Sequence, residues 1–269
     1  MAAAPRGPLL LTAQHEMRLC KLTEHASALS RLILLLDAPH VGFHYSQSLR
    51  DAARACLQAL ARLPAVFAHI QESRQMPTPF VWNQTLRLRD VPQGPATHLL
   101  IRWERWMGQI REAREEIKGL SLQARRECDD GDEGGPRPAE AEAAMVREIG
   151  DLIRIARSIF RKTKVRCISR LSDQATPTLI LSIDRLYRLG ASIAVVVDDL
   201  IAHLMSPQCP LMVTIIATQL IGRCEELLEA VVEVGGSKKL GNESGSWIDM
   251  FRQDLNVSLY RIHERNPAR

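Results

Sequence analysis

Aromatic residues are scarce in this chain: Phe, Trp and Tyr make up 4% of its 269 residues, against a hydrophobic share of 46%. A core with so few rings must be built from Leu, Ile, Val, Ala and Met. Strands draw on aromatic and β-branched side chains, so the balance shifts to helix packed on helix. Cysteine is scattered as well. Cys20, Cys56, Cys128, Cys167, Cys209 and Cys224 form no CxxC pair, which argues against a zinc ribbon or a disulfide scaffold and for small core side chains in a reducing compartment. No run approaches the roughly 20 apolar residues that span a bilayer, and the opening "MAAAPRGPLLLTAQHEM" holds an apolar patch too short for a signal peptide. A net charge of +4 is too small to imply nucleic acid on its own. The sequence also lacks GxSxG, Walker, HExxH and Rossmann fingerprints. Together these absences predict a soluble, intracellular protein with no membrane segment, and nothing in the residues argues for an enzyme, a cofactor or a metal.

What is present has the helical period almost throughout. A first helix is predicted from about Ala13 to Leu36, stopped by "DAPHVGF". A second starts near Ser46 with Leu49, Ala53, Cys56, Leu60 and Leu63 on one face and a kink at Pro64. A third runs from Pro95 toward Cys128, with Trp103 and Trp106 near its start and a salt-bridge-laced face over "REAREEIK". "CDDGDEGGPRPAEAE" is acidic, rich in glycine and proline and without large apolar side chains, which predicts a mobile loop. The expected organisation is therefore an N-terminal helical half (1–127), an acidic loop (128–138) and a C-terminal helical half (139–269), forming antiparallel bundles.

In the C-terminal half, Met145, Ile149, Leu152, Ala156 and Ile159 form one stripe. Thr176 before Pro177 is a good helix start. Beyond it Leu179, Ile183, Leu186, Gly190, Ile193, Val197, Leu200 and Leu204 alternate steps of four and three, a heptad-like seam that reads as bundle core or as a surface for a partner helix. Another helix is expected from about Pro210 to Val234, with Val213, Ile216, Leu220, Cys224, Leu227 and Val231 inward. Ser246 with Asp249 resembles a capping box opening a last helix, with Trp247, Phe251, Leu255 and Ile262 on its core face.

The chemically suggestive stretch is "VVVDDLIAHLMSPQCPLMVTIIATQLIG". Asp198 and Asp199 are helix neighbours and point about 100° apart, so they do not converge as a shared-proton pair or a metal site. His203 and Cys209 lack two further ligands at any zinc-like spacing. Pro207 and Pro210 suit a corner between two helices. The run "RIARSIFRKTKVRCISR" carries Arg154, Arg157, Arg161, Lys162, Lys164, Arg166 and Arg170 without an acid. It reads as a basic surface helix or as a phosphate-binding face for nucleic acid.

"VDDLIAHLMSPQCPLMVTIIATQLI" followed by "SWIDMFRQDLNVSLYRIHE" resembles the cyclin-D-binding (cyclin-D-interacting) protein family, in which a "VDDL" helix leads through a proline–cysteine corner into the next helix and "SWI" opens the last. The matching positions are Val197, Asp198, Asp199, Leu200, Pro207, Cys209, Leu211, Ser246, Trp247 and Ile248. Upstream, "VWNQTLRLRDVPQGPATHLLIRW", the acidic loop and "RKTKV" are similar too, so the likeness runs from roughly residue 15 to 265. Departures are Ser206 for the first corner proline, Met205 for the aromatic before it, and a family N-terminal helix that is missing or shortened here. The resemblance implies an all-helical, non-enzymatic protein acting through protein contacts. Its partners would be D-type cyclins, adaptors or transcription factors, its effect a lowering of cell-cycle kinase signalling, and its location nucleus and cytoplasm. A nucleic-acid-binding helical module and a vinculin-like helical scaffold are the alternative readings.

Overall fold

A computed structural model describes residues 13–35, 41–69, 83, 86, 89–129, 138–173, 176–205, 209–239 and 243–264. Among these residues the structure is all-α, with α1 (Ala13–Leu35), α2 (Phe43–His69), α3 (Pro95–Asp129), α4 (Pro138–Arg166), α5 (Pro177–Met205), α6 (Pro210–Lys239) and α7 (Glu243–Glu264); a 3₁₀ turn, Ile168–Arg170, follows α4. The chain divides into two compact units, 1–91 and 92–269. In the first, α1 packs on α2. Gly42 takes a left-handed φ of 86°, open to glycine at little cost, and its carbonyl accepts the Ser46 amide at 2.9 Å to begin α2. The helix runs on past Pro64 to His69.

In the second unit, α3 packs on α4 and α5, α5 on α6, and α4 on α6, which closes a ring of four helices; α7 lies against both α4 and α6. Trp103 meets Phe160 while Ile117, farther along α3, reaches Gly150, earlier on α4, so these two helices are antiparallel. α3 and α5 run the same way: His98 stacks on Tyr187, and farther along both helices Glu112 and Glu116 face Asp198. The expected division at 128–138 thus falls inside this unit. The predicted loop itself, residues 130–137, lies outside the described residues, while α3 packs against α4 and α5 and belongs with the C-terminal helices.

The predicted faces are the buried ones. Met145, Ile149, Leu152, Ala156 and Ile159 of α4 are in the core, as are Ile183, Leu186, Gly190, Ile193, Val197, Leu200 and Leu204 of α5, so the heptad-like seam is interior packing. Val213, Ile216, Leu220, Cys224, Leu227 and Val231 of α6 and Trp247, Phe251, Leu255 and Ile262 of α7 complete it. Each fully buried aliphatic side chain contributes roughly 1.5–3 kcal/mol of transfer free energy.

Three helix boundaries differ from expectation, the first being α2, which starts at Phe43 ahead of Ser46. α6 continues past Val234 through Gly235 and Gly236 to Lys239. α7 opens at Glu243, so Ser246 and Asp249 lie within the helix and Ser246 does not occupy a cap; a capping-box spacing has no cap to make once the helix starts a turn earlier.

Helix starts are secured in two ways. Thr176 caps α5 locally, its carbonyl accepting the Ile180 amide at 3.0 Å and its hydroxyl the Leu179 amide at 3.4 Å. α3 has no such residue: Gly94 holds the cap position, its carbonyl accepting the His98 amide at 2.9 Å. The missing side chain is supplied from the connection between the 3₁₀ turn and α5. Asp173 Oδ1 accepts the amides of Ala96 and Thr97 at 2.9 and 3.0 Å, and Oδ2 accepts the Thr97 hydroxyl at 2.6 Å. A Cβ on Gly94 would lie 2.4 Å from the Asp173 carboxyl, so the glycine makes room for a borrowed cap. Asp173→Ala is expected to lower unfolding free energy by about 1 kcal/mol, the usual loss when a helix cap is removed, with Asp173→Asn losing less. Urea denaturation of the two variants checks this; equal stability of Asp173→Ala and the parent chain would contradict it.

Candidate functional site

The residues that carry the family resemblance separate into buried and exposed sets. Val197 and Leu200 are fully buried in the α5 seam, and Trp247 and Ile248 are buried at the start of α7. Asp198, Asp199, Cys209 and Leu211 are exposed. Pro207 lies outside the described residues, as do Val81 and Trp82 of the upstream likeness. The set does not converge. α6 joins the two regions along its 30 residues, and at 1.5 Å per residue its two ends stand about 45 Å apart.

The α5–α6 corner is built from the backbone outward. α5 ends at Met205 and α6 starts at Pro210, whose fixed φ suits a first helical position. The Cys209 carbonyl accepts the Val213 amide at 3.1 Å, which makes Cys209 the cap residue and leaves its side chain outside. One face of the new helix, Val213 and Thr214, turns inward, with the Thr214 hydroxyl bonded to the Pro210 carbonyl at 2.8 Å. The other face presents Leu211, Met212 and Ile215 at 52, 40 and 42% exposure, and Met205, the last residue of α5, is 65% exposed. Four large apolar side chains therefore stand in water around one corner. Leu211 was legible as part of the motif; Met205 appeared only as a departure from the family, and Met212 and Ile215 fall on the outer face once the inward register of α6 is known.

The two aspartates have different surroundings. The Asp199 carbonyl is bonded to His203 Nδ1 at 2.8 Å. Asp198 turns toward α3. Partial burial there, then the like charges of Asp199, Glu116 and Glu112, push its carboxyl above the ordinary value of 3.8. Among the described residues no group of three or more His, Cys, Asp or Glu is placed to hold a metal ion. Burial pushes the Cys167 and Cys224 thiols up to about 12, which suits packing and leaves little thiolate.

The basic run splits over several faces of α4. Arg154 pairs with Asp151 at 3.1 Å, and Lys164 pairs with Glu104 of α3. Arg157 lies toward Glu115 of α3, whose carboxyl is held low chiefly by Lys118. Arg161, Lys162 and Arg166 instead surround a groove between α4 and α7, together with Arg170, Ser158, Val165 and Phe251. A helix distributes residues of one run around its axis, so seven adjacent cations become one local cluster and three separate contacts.

No protein-family model matches the chain, and no curated protein matches it. Among the described residues no helix is long and apolar enough to cross a membrane.

The Asp198 carboxyl offers a pH test. Its folded-state proton affinity is raised, so the charged form carries a penalty that is present above the folded pKa and relieved as pH falls through it. Most of the side chain stays in water, which keeps the effect small. Asp198→Asn is expected to be more stable than the parent by roughly 0.5 kcal/mol or less at pH 7, the range of surface changes, and the gap is expected to close as the pH approaches 3.8. Thermal melts across that range check it; a gap that widens on acidification would contradict the assigned direction.

Proposed function

We propose that this chain is a non-enzymatic regulatory protein that works by holding partner proteins on its helical surface, in the manner of the cyclin-D-binding family it resembles. The observation that carries this reading is the exposed apolar corner between α5 and α6, where the motif residue Leu211 stands with Met205, Met212 and Ile215. Soluble proteins leave contiguous apolar patches in water chiefly where something binds. An amphipathic helix of a partner laid over such a patch gains free energy from each anchor it buries. The buried motif residues Val197 and Leu200 anchor the stretch of α5 that leads into the corner, while Trp247 is buried at the other end of α6.

D-type cyclins are the partners the resemblance points to, with other cell-cycle or transcriptional regulators in the same class, acting in nucleus and cytoplasm to restrain progression. The nucleic-acid reading gains no support from the helix surface, because α3 carboxylates and Asp151 engage three of the seven cations. No geometric feature favours a vinculin-like scaffold over any other helical bundle.

Capture of purified D-type cyclin by the immobilised full chain is expected at micromolar concentration. The double substitution Leu211→Asp with Ile215→Asp is expected to reduce capture at least tenfold with unchanged helical circular dichroism, since both side chains are already in water; about 1.4 kcal/mol of lost contact suffices. No capture by the parent chain, or undiminished capture by the double variant, would count against the reading or against the corner respectively.

A further inference from the structure

The cation cluster between α4 and α7 has no structural use within the described residues. Arg161, Lys162 and Arg166 of α4 and Arg170 of the following turn surround a groove of about 610 Å³. Carboxylates do reach neighbouring cations, Asp151 to Arg154 and Glu104 to Lys164, yet among the described residues none pairs with these four. Cations near a helix C-terminus offset the partial negative charge of its last carbonyls, but that effect fades within the final turn. It accounts for Arg166 and leaves Arg161, Lys162 and Arg170 unexplained. Nor is the chain's own acidic run a ready partner. It is attached between Asp129 and Pro138, at the opposite end of α4, and Arg161 lies roughly 35 Å down the helix axis from Pro138.

The surroundings distinguish between anionic ligands. Toward the middle of α4 the groove continues past Asp151 and Asp254, which interrupt the cations with carboxylates. A phosphate backbone needs a longer uninterrupted positive track than this. The ring on the groove, Phe251, is 5% exposed and so offers no stacking platform for bases. Val165, by contrast, is 55% exposed at the same rim and offers an apolar contact beside the charges.

We propose that the α4–α7 groove docks a short acidic segment of a partner protein, which sets two or more carboxylates against Arg161, Lys162, Arg166 and Arg170 and lays an apolar side chain over Val165. The proposal rests on reading the chain as an interaction protein and adds a second surface, of different chemistry, to the apolar corner. Arginine forks suit paired carboxylates, and the charge cluster speeds encounter as well as fixing the register of the segment.

The test uses the full chain and a fluorescein-labelled dodecapeptide of glutamate and leucine, followed by anisotropy. Micromolar binding is expected. Arg161→Glu with Arg166→Glu is expected to weaken it at least tenfold, Val165→Asp several-fold, and Arg188→Glu, an exposed cation on α5, not at all. The same peptide with glutamine in place of glutamate is expected to bind at least tenfold more weakly. Equal binding of the two peptides, or indifference to the charge reversals, would overturn the proposal. A duplex DNA probe that binds more tightly than the peptide and loses affinity through the same reversals would overturn it in favour of nucleic acid. If the peptide fails while D-type cyclin is captured, the groove proposal falls and the interaction reading stands. If the peptide binds through the groove and cyclin is not captured, the groove stands and the cyclin assignment falls.

Discussion

The approach of two tryptophans to one glycine sets the geometry of the larger unit. Trp103 and Trp106 project from α3 onto Gly190 of α5 so closely that a Cβ there would lie 2.6 Å from one ring and 2.8 Å from the other. The same rings tie in their neighbours. Trp103 stacks on Phe160 of α4 at 4.5 Å and donates its indole N–H to the Phe160 carbonyl at 3.1 Å, so the buried polar group is satisfied. Trp106 meets Tyr187 edge-on at 5.0 Å. Three helices are locked at one level by side chains from a chain that has few rings to spend. Once α3, α4 and α5 are held there, α6 follows its corner, and α7 packs against α4 and α6, which places Phe251 beside the cations of α4.

Much of this was legible from residue spacing. The stripes on α4, α5, α6 and α7 could be read without knowing what they pack against, because burial of one face follows from a period near 3.6 whatever the partner. Gly190 was legible as a member of the α5 seam, but its reason was not, since nothing local announces two indoles arriving from α3. The cap on α3 was hidden for the same cause: Asp173 lies 76 or more residues away in sequence from the amides it accepts. The capping-box reading at Ser246 failed in the opposite direction, as a correct local pattern overridden by a helix that begins earlier. The acidic break at 128–138 was a real interruption of helical composition and still no boundary between compact units, because the apolar faces on either side of it meet.

The candidate surfaces followed a similar division. Motif spacing found Leu211 and Cys209, and their exposure follows from which face of α6 must turn inward. The basic run looked like a single feature in one dimension. In the fold it separates into cations matched by α3 or by their own helix and a cluster of four, three on α4 and one on the following turn, with no match among the described residues. An apolar corner at one end of the bundle and a basic groove along its side would give the proposed interaction function two chemically distinct handles, so that partners are chosen by pattern rather than by one contact.

The central claim is that Gly190 is present for the tryptophans and not for backbone freedom. Gly190→Ala isolates it, because helix propensity and packing predict opposite signs. Alanine in a helix interior is worth about 1 kcal/mol over glycine, whereas forcing a methyl into a filled core costs roughly 1–3 kcal/mol. Chemical denaturation followed by tryptophan fluorescence is expected to show the alanine variant less stable than the parent, with a red-shifted native emission as the indoles are displaced. An alanine variant as stable as the parent or more so, with unchanged emission, would contradict the account.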